Sequence, residues 1–330
     1  MVKAGGERNS FVGALVSIIV LLSAGCLTKQ AHPTLPTVVP QEDRWGIYSL
    51  NLDTGEVELL YNNPETITVL RLNSSGDRFV FSQVVRVGDT NQEEIFTLSS
   101  DGQDLQRLTN NEFRDLYPAW SPDDAHVAFL TFRGPDLDIY IMDADGGNVK
   151  PLFDSGSHDA DIHWVGGKIA FTANNRIWIM NDDGTGAHQI TEPPRAGEWG
   201  NANLPFGDYD PRINSDGSKI VFERLVGDES IHGNYDLYLM DIDGSDVTRL
   251  TDTGYSQGLA SWSHSGSRIV YTVAAIDDVG QYNIYIMNAD GTDNRDITPD
   301  TFPTRFLCNS PIFSLDDTRI YFIGEWWSDD

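Results

Sequence analysis

The chain has 330 residues, 22 basic and 50 acidic, for a formal net charge of −28. A surface that neutralises nucleic-acid phosphates needs clustered Lys and Arg, and no such cluster is present, so nucleic acid is not an expected partner. The hydrophobic share of 40% suits a folded chain rather than a disordered one, and two cysteines rule out a disulfide scaffold.

The first predicted element is an address. Lys3 and Arg8 precede an apolar run from Phe11 to Leu22. That run is shorter than the ~20 residues a membrane-spanning helix needs, and it fits a secretory signal. It ends in Ser23-Ala24-Gly25-Cys26, which resembles a bacterial lipobox. Residues 1–25 are therefore expected to be a lipoprotein signal peptide, with Cys26 carrying the lipid. The mature protein is then expected outside the cytoplasm, anchored to the membrane, with Cys308 as a single thiol. Cys26 to Asp43 contains Pro33, Pro36 and Pro40 and predicts a tether. As flexible chain it reaches roughly 20–25 Å.

From residue 44 onward two phrases alternate. One is Asp236-Leu237-Tyr238-Leu239-Met240 followed by Asp243-Gly244, repeated at Asp138–Gly146, Asn283–Gly291 and Arg176–Gly184. Weaker copies lie at Glu94–Gly102 and Gly46–Gly55. Each is a β-rich run stopped by a tight turn, with a further strand after it, as at Arg107–Thr109, Gln189–Thr191, Arg249–Thr251 and Asp296–Thr298. The other phrase is Pro118-Ala119-Trp120-Ser121-Pro122-Asp123-Asp124 leading to Val127-Ala128-Phe129. Its copies begin near Leu70, Ile162, Pro211, Ala260 and Pro311.

Two hairpins per unit and six units predict an all-β chain from 44 to 330. The fold expected is a six-bladed β-propeller of four-stranded antiparallel blades, at about 48 residues per unit. The chain starts with the second hairpin of a unit and ends with the first. The last blade should therefore combine two C-terminal with two N-terminal strands. Leu72, Trp120, Trp164, Ile213, Trp262 and Phe313 recur in register and are expected to pack between blades.

The phrases Pro-Ala-Trp-Ser-Pro-Asp, Asp-Ile-Tyr-Ile-Met, Asp-Gly and Leu-Thr resemble the TolB-like propeller repeat family, a relative of WD-repeat propellers. The resemblance covers nearly all of residues 44–330. It implies a cell-envelope protein acting through protein–protein contacts, here as a lipoprotein lacking the N-terminal α/β domain of TolB.

Candidate functional residues follow from where long connections fall. Numbering strands A to D from axis to rim, the A–B and C–D turns are tight. The long connections, Val84–Glu93, Thr191–Gly207, Arg224–Tyr235 and Pro299–Cys308, fall on the opposite face. Loops on a rigid scaffold are where binding concentrates. Arg195, Trp199, Phe206, Phe302, Arg305 and Phe306 are the candidate ligand-binding residues, since aromatics and arginines on loops suit a protein interface. Asp115, Asp159 and Asp208 each stand three residues before a strand-A landmark and are a candidate Ca²⁺ site at the channel mouth; no other cofactor is expected. Gly254-Tyr255-Ser256-Gln257-Gly258 matches a nucleophile-elbow pattern, but no strand-to-helix context accompanies it. The function expected is a non-catalytic, monomeric module that binds a protein or peptide partner on the long-loop face. The alternative is a metal-dependent carbohydrate-binding, lyase or hydrolase propeller with its site at the channel mouth.

Overall fold

The computed structural model describes residues 44–87, 90–228, 233–274, 282–303 and 306–326. Cys26, Arg305, the signal segment and the tether lie outside them. The described residues form 24 strands and no helix. The first two are β1 (Trp45–Asn51) and β2 (Val57–Asn63). Next come β3 (Ile67–Leu72), β4 (Arg78–Val87), β5 (Thr90–Ser99) and β6 (Gln106–Arg107). Then follow β7 (Asp115–Trp120), β8 (His126–Thr131), β9 (Asp138–Asp143) and β10 (Lys150–Phe153). The third group is β11 (Asp159–Val165), β12 (Lys168–Ala173), β13 (Arg176–Asn181) and β14 (His188–Gln189). The fourth is β15 (Asp208–Ile213), β16 (Lys219–Gly227), β17 (Asn234–Asp241) and β18 (Thr248–Arg249). The chain continues with β19 (Ser256–Trp262), β20 (Arg268–Ala274), β21 (Tyr282–Asn288) and β22 (Arg295–Asp296), and ends with β23 (Phe306–Phe313) and β24 (Arg319–Trp326).

Four groups are separate four-stranded sheets, and the remaining strands form one eight-stranded sheet. Within that sheet β21 and β23 share one parallel pair, Tyr282 with Leu307. β1 pairs antiparallel with β24 from Trp45↔Glu325 to Asn51↔Arg319. The two ends of the described chain thus share a ladder. Their contact replaces a covalent link, because Cys308 is a buried free thiol.

The second strand of each hairpin phrase is apolar on both faces because a sheet covers each face. Phe81, Phe129, Phe171, Phe222, Tyr271 and Phe322 occupy the same place in β4, β8, β12, β16, β20 and β24, all essentially inaccessible. Each stabilises the fold by roughly 1.5–3 kcal/mol through apolar burial. Sheets pack face to face in series. Val80 and Ile95 meet Trp120 and Val127, and Val221 and Leu237 meet Ala260 and Ile269. Ile47 and Ile323 meet Ile67, Leu70 and Phe79, which carries the series across the β1–β24 ladder.

The turns add links between sheets. Gly244 has φ +86°, and a Cβ there would lie 2.2 Å from the Ile190 carbonyl oxygen of the preceding sheet. Glycine is required twice over, by the backbone and by the close approach. Asp124 and Asp317 adopt φ 58°, at the turn position held by Gly76, Gly217 and Gly266 elsewhere. Their side chains use the place. Asp124 accepts the Ser74 and Ser75 N–H groups at 2.7 and 2.9 Å. Asp317 accepts those of His264 and Ser265 at 2.6 and 3.0 Å.

Three sequence expectations shift. The outer strands β6, β14, β18 and β22 have only two residues each. Threonines that recur in register end them. Thr109, Thr191, Thr251 and Thr298 accept the N–H of Ile95, Ile177, Leu237 and Ile284 through Oγ1, so a side chain replaces the next ladder acceptor. Val84–Glu93 is not an irregular loop: β4 and β5 continue as a paired hairpin to Val87↔Thr90. Arg224–Tyr235 is likewise paired over much of its length, with Arg224 opposite Asp236 and Gly227 opposite Asn234.

Candidate functional site

The innermost strands carry a feature that the repeat does not announce. Each has a break in register against its neighbour. Within each break one residue adopts φ near +50°: Val69, Tyr117, Asp161, Asp210, Leu259 and Ser310. A bulge of this kind bends the strand and re-aims its side chain. Non-glycine residues rarely take this conformation, so its recurrence in six strands is a built property.

At two of these places the residue is an aspartate. Asp161 and Asp210 lie in adjacent sheets, and the Asp210 N–H reaches Asp161 Oδ2 at 3.3 Å. Arg212 donates to Asp210 and also to the Pro211 carbonyl, at 2.9 Å. Arg71 donates to the Leu70 carbonyl at 2.8 Å. Glu223 accepts the Leu259 N–H at 2.6 Å, bridging to the next sheet. His163 Nδ1 accepts the Ile213 N–H at 3.0 Å, which places its proton on Nε2. Burial and the charges of Arg212 and Arg71 hold this imidazole well below its usual pKa, so it stays neutral. Burial, then repulsion from Asp210, pushes Asp161 up to about 6. Glu223 is raised as well, by burial and then by Asp210. Arg71 is lowered to about 9, by burial and then by Arg212.

This polar cluster separates two cavities. On the tight-turn side a funnel of about 420 Å³ is lined by the recurring residues Leu72, Trp120, Trp164, Ile213, Trp262 and Phe313, together with Arg71 and His163. Trp120, Ile213 and Phe313 are buried between sheets as expected, whereas Leu72, Trp164 and Trp262 are half-buried and face the funnel. The Trp262 indole N–H donates to the Arg212 carbonyl at 2.9 Å, fixing that ring. On the long-loop side a cavity of about 50 Å³ is lined by Asp161, Asp210 and Glu223 among tyrosines and amides.

The long-loop residues differ in burial. Phe206 and Phe306 are only 3% and 2% exposed. Phe206 packs with Leu204, Tyr209 and Tyr235, and Phe306 with Tyr48 and Phe322, because aromatic area is worth more under the loop than in water. Phe302 is half-buried, its ring 4.3 Å from that of Phe306. Arg195 lies 3.6 Å over the Phe206 ring and pairs with Glu198 at 2.9 Å. Arg195 and Trp199 stay exposed, Trp199 at 55%.

The three aspartates do not converge. Asp115 is held by Arg133 at 2.8 Å and by Thr131 and Asn111. Asp208 is gripped by Arg224 through two bonds of 2.6 and 2.8 Å. Asp159 accepts the Ser155 N–H at 3.3 Å, and burial raises its carboxyl to about 7. Two of the three carboxylates are thus neutralised by guanidinium groups of their own sheets. Among the described residues no group of three or more His, Cys, Asp or Glu is placed to hold a metal ion. Sequence register does not reveal that Arg133 and Arg224 reach two of these three carboxylates.

Stacked four-stranded antiparallel sheets, with inner-strand bulges around an axial cluster, define a β-propeller. No family model matches the sequence. The chain is 26% identical over 212 residues to an uncharacterised protein of Agrobacterium fabrum, covering 61% of this chain and 67% of that one. It is 29% identical over 124 residues to the Tol-Pal system protein TolB of Desulfosudis oleivorans, covering 35% of this chain and 26% of that protein's length. A solved structure from Agrobacterium tumefaciens assigned as TolB superposes with a TM-score of 0.67 at 17% identity, over 87% of this chain and 99% of that one. The chain has a β-propeller fold like that of TolB.

Proposed function

We propose that this chain is a cell-envelope interaction module, a six-bladed propeller closed by β23 and β24 with β1 and β2, that binds a protein or peptide partner. The observation that carries the reading is the funnel. It is concave, and three half-buried large side chains, Leu72, Trp164 and Trp262, line it. Tryptophan in a desolvating pocket is the side chain most enriched among residues that dominate interface energies. The likeness to TolB, a protein of the Tol-Pal system, supports an envelope setting.

The termini orient the module. The Trp326 N–H donates to the Arg44 carbonyl at 2.9 Å, and Trp326 pairs with Phe306. Residue 44 therefore lies at the long-loop end. A lipid on Cys26, tethered through residues 27–43, holds that end toward the membrane and turns the funnel outward. Cys26→Ser should move the protein from the membrane to the soluble fraction.

The test is photo-crosslinking in cells, with p-benzoylphenylalanine placed at position 164 or at position 199. A discrete envelope protein captured from 164 and not from 199 supports the funnel as the binding face. Capture from 199 alone, or from neither, rejects it.

A further inference from the structure

The small axial cavity has a composition that points to a ligand. Among the described residues that line it are three carboxylates, Asp161, Asp210 and Glu223, and no cationic side chain. The carboxylates alone would not make a site. The independent observation is a set of unpartnered, deeply buried polar atoms on the same wall. Asp210 Oδ2, Gln257 Oε1 and both polar atoms of the Asn309 amide, Oδ1 and Nδ2, have no hydrogen-bond partner within the protein. Their residues are 5%, 1% and 2% exposed. The Gln257 amide is not free to turn that oxygen away. Its Nε2 donates to Thr253 Oγ1 and to the Tyr255 carbonyl.

The donor–acceptor count selects the ligand class. Three buried oxygens seek donors against one N–H, on Asn309, that seeks an acceptor, and of the three carboxylates only Asp210 has a guanidinium partner, Arg212. An anion would be repelled, and a neutral hydroxyl brings one donor. An alkylammonium group brings three N–H donors, no acceptor and a positive charge. Tyr117, Tyr209 and Tyr235 add aromatic lining that favours a cation. The volume of about 50 Å³ holds the charged head and a short stem, since a water-sized atom needs roughly 10–15 Å³ by the same measure. Gly258, Leu259 and Ala274, all half-buried, lie along the same wall. We infer that the axial cavity on the long-loop side is a binding site for a primary ammonium group, borne by a small amine or by a lysine side chain.

The inference does not depend on the funnel reading, because the probes and the cavity are different. The test is isothermal titration of the full chain, purified in detergent, with n-butylammonium and with lysine blocked at both ends. 1-Butanol and butyrate serve as neutral and anionic controls. Binding of either ammonium probe with a Kd of about 1 mM or tighter is expected, with no response to the controls. Binding of butylammonium alone assigns a free amine, and binding of blocked lysine alone assigns a peptide side chain. Gln257→Met removes one acceptor without touching an ion pair, and Glu223→Gln removes one carboxyl. Each should weaken binding about tenfold or more, with thermal melting confirming that both variants fold. A response to ammonium no larger than to 1-butanol overturns the assignment. So does an affinity unchanged in two folded variants.

Discussion

The two ends of the axis are built from the same inner strands, yet they differ in size and in the groups they gather. At the tight-turn end the strands finish in Leu72, Trp120, Trp164, Ile213, Trp262 and Phe313, and the cavity is wide. A few residues earlier the same strands present Tyr117, Asp161, Asp210 and Leu259 around a narrow, acidic cavity. The bulge separates the two regimes. Before it and after it, side chains alternate in the ordinary way. At it, a φ near +50° turns one extra residue toward the axis. One repeat therefore supplies both a rim suited to apolar contacts and a charged interior, without any change in the architecture that carries them.

The largest effect should come from breaking the charged region. Arg212 and Asp210 are both nearly inaccessible and form an ion pair. Arg212→Met leaves Asp210 buried without its counter-charge and should cost about 3–5 kcal/mol, read as a fall in the urea midpoint at constant slope. At the funnel the expected loss is in binding. Trp164→Ala should weaken capture of the partner by roughly 2 kcal/mol, about thirtyfold, while the denaturation curve moves much less. If stability falls as far as binding, the funnel is merely core.

A third experiment separates the regions by pH. Asp161 has a folded value of about 6, above its ordinary 3.8. The folded protein then holds more protons than the unfolded chain between these values, so this group makes stability fall as pH rises through 6. Asp161→Asn should remove that dependence. The variant gains up to about 3 kcal/mol over the parent at pH 8, and the gain vanishes by pH 4. A gain independent of pH would mean that the carboxyl is not the titrating group. The smallest effect is expected at Trp199, an exposed residue of the long-loop face. Trp199→Ala should change stability by no more than about 0.5 kcal/mol and leave partner capture intact.

Much of the fold was legible because its signals are local. Hairpin strands alternate or run apolar over a few residues, and Asp-Gly pairs stop them, so each blade-like unit could be placed from its own residues. The offset of the repeat against the termini foretold the β1–β24 ladder. The candidate site was less legible, for a physical reason that differs by residue. Phe206 sits in a loop, and loop position alone does not tell whether an aromatic ring points out or tucks under to meet Tyr209 and Tyr235. Asp115 and Asp208 recur in register, but Arg133 and Arg224 lie 18 and 16 residues away in sequence and come beside them only through strand pairing. Glu223, Gln257 and Asn309 fall on different strands, with no common spacing to draw attention to them. One available signal was missed. Asp161 and Asp210 stand directly before the landmark residues Ile162 and Pro211 of strands expected to lie innermost, and a buried carboxylate requires a reason.

By itself, then, the sequence determined what repeats: strand, turn, apolar stripe, glycine where the backbone must close upon its neighbour. Those properties depend on residues within a few positions of one another. Tertiary structure decided what converges. The funnel, the ion pair of Arg212 with Asp210, and the acidic cavity beneath them each gather side chains from several sheets around one axis. Their energies depend on distance and burial, and neither quantity exists until the sheets have packed.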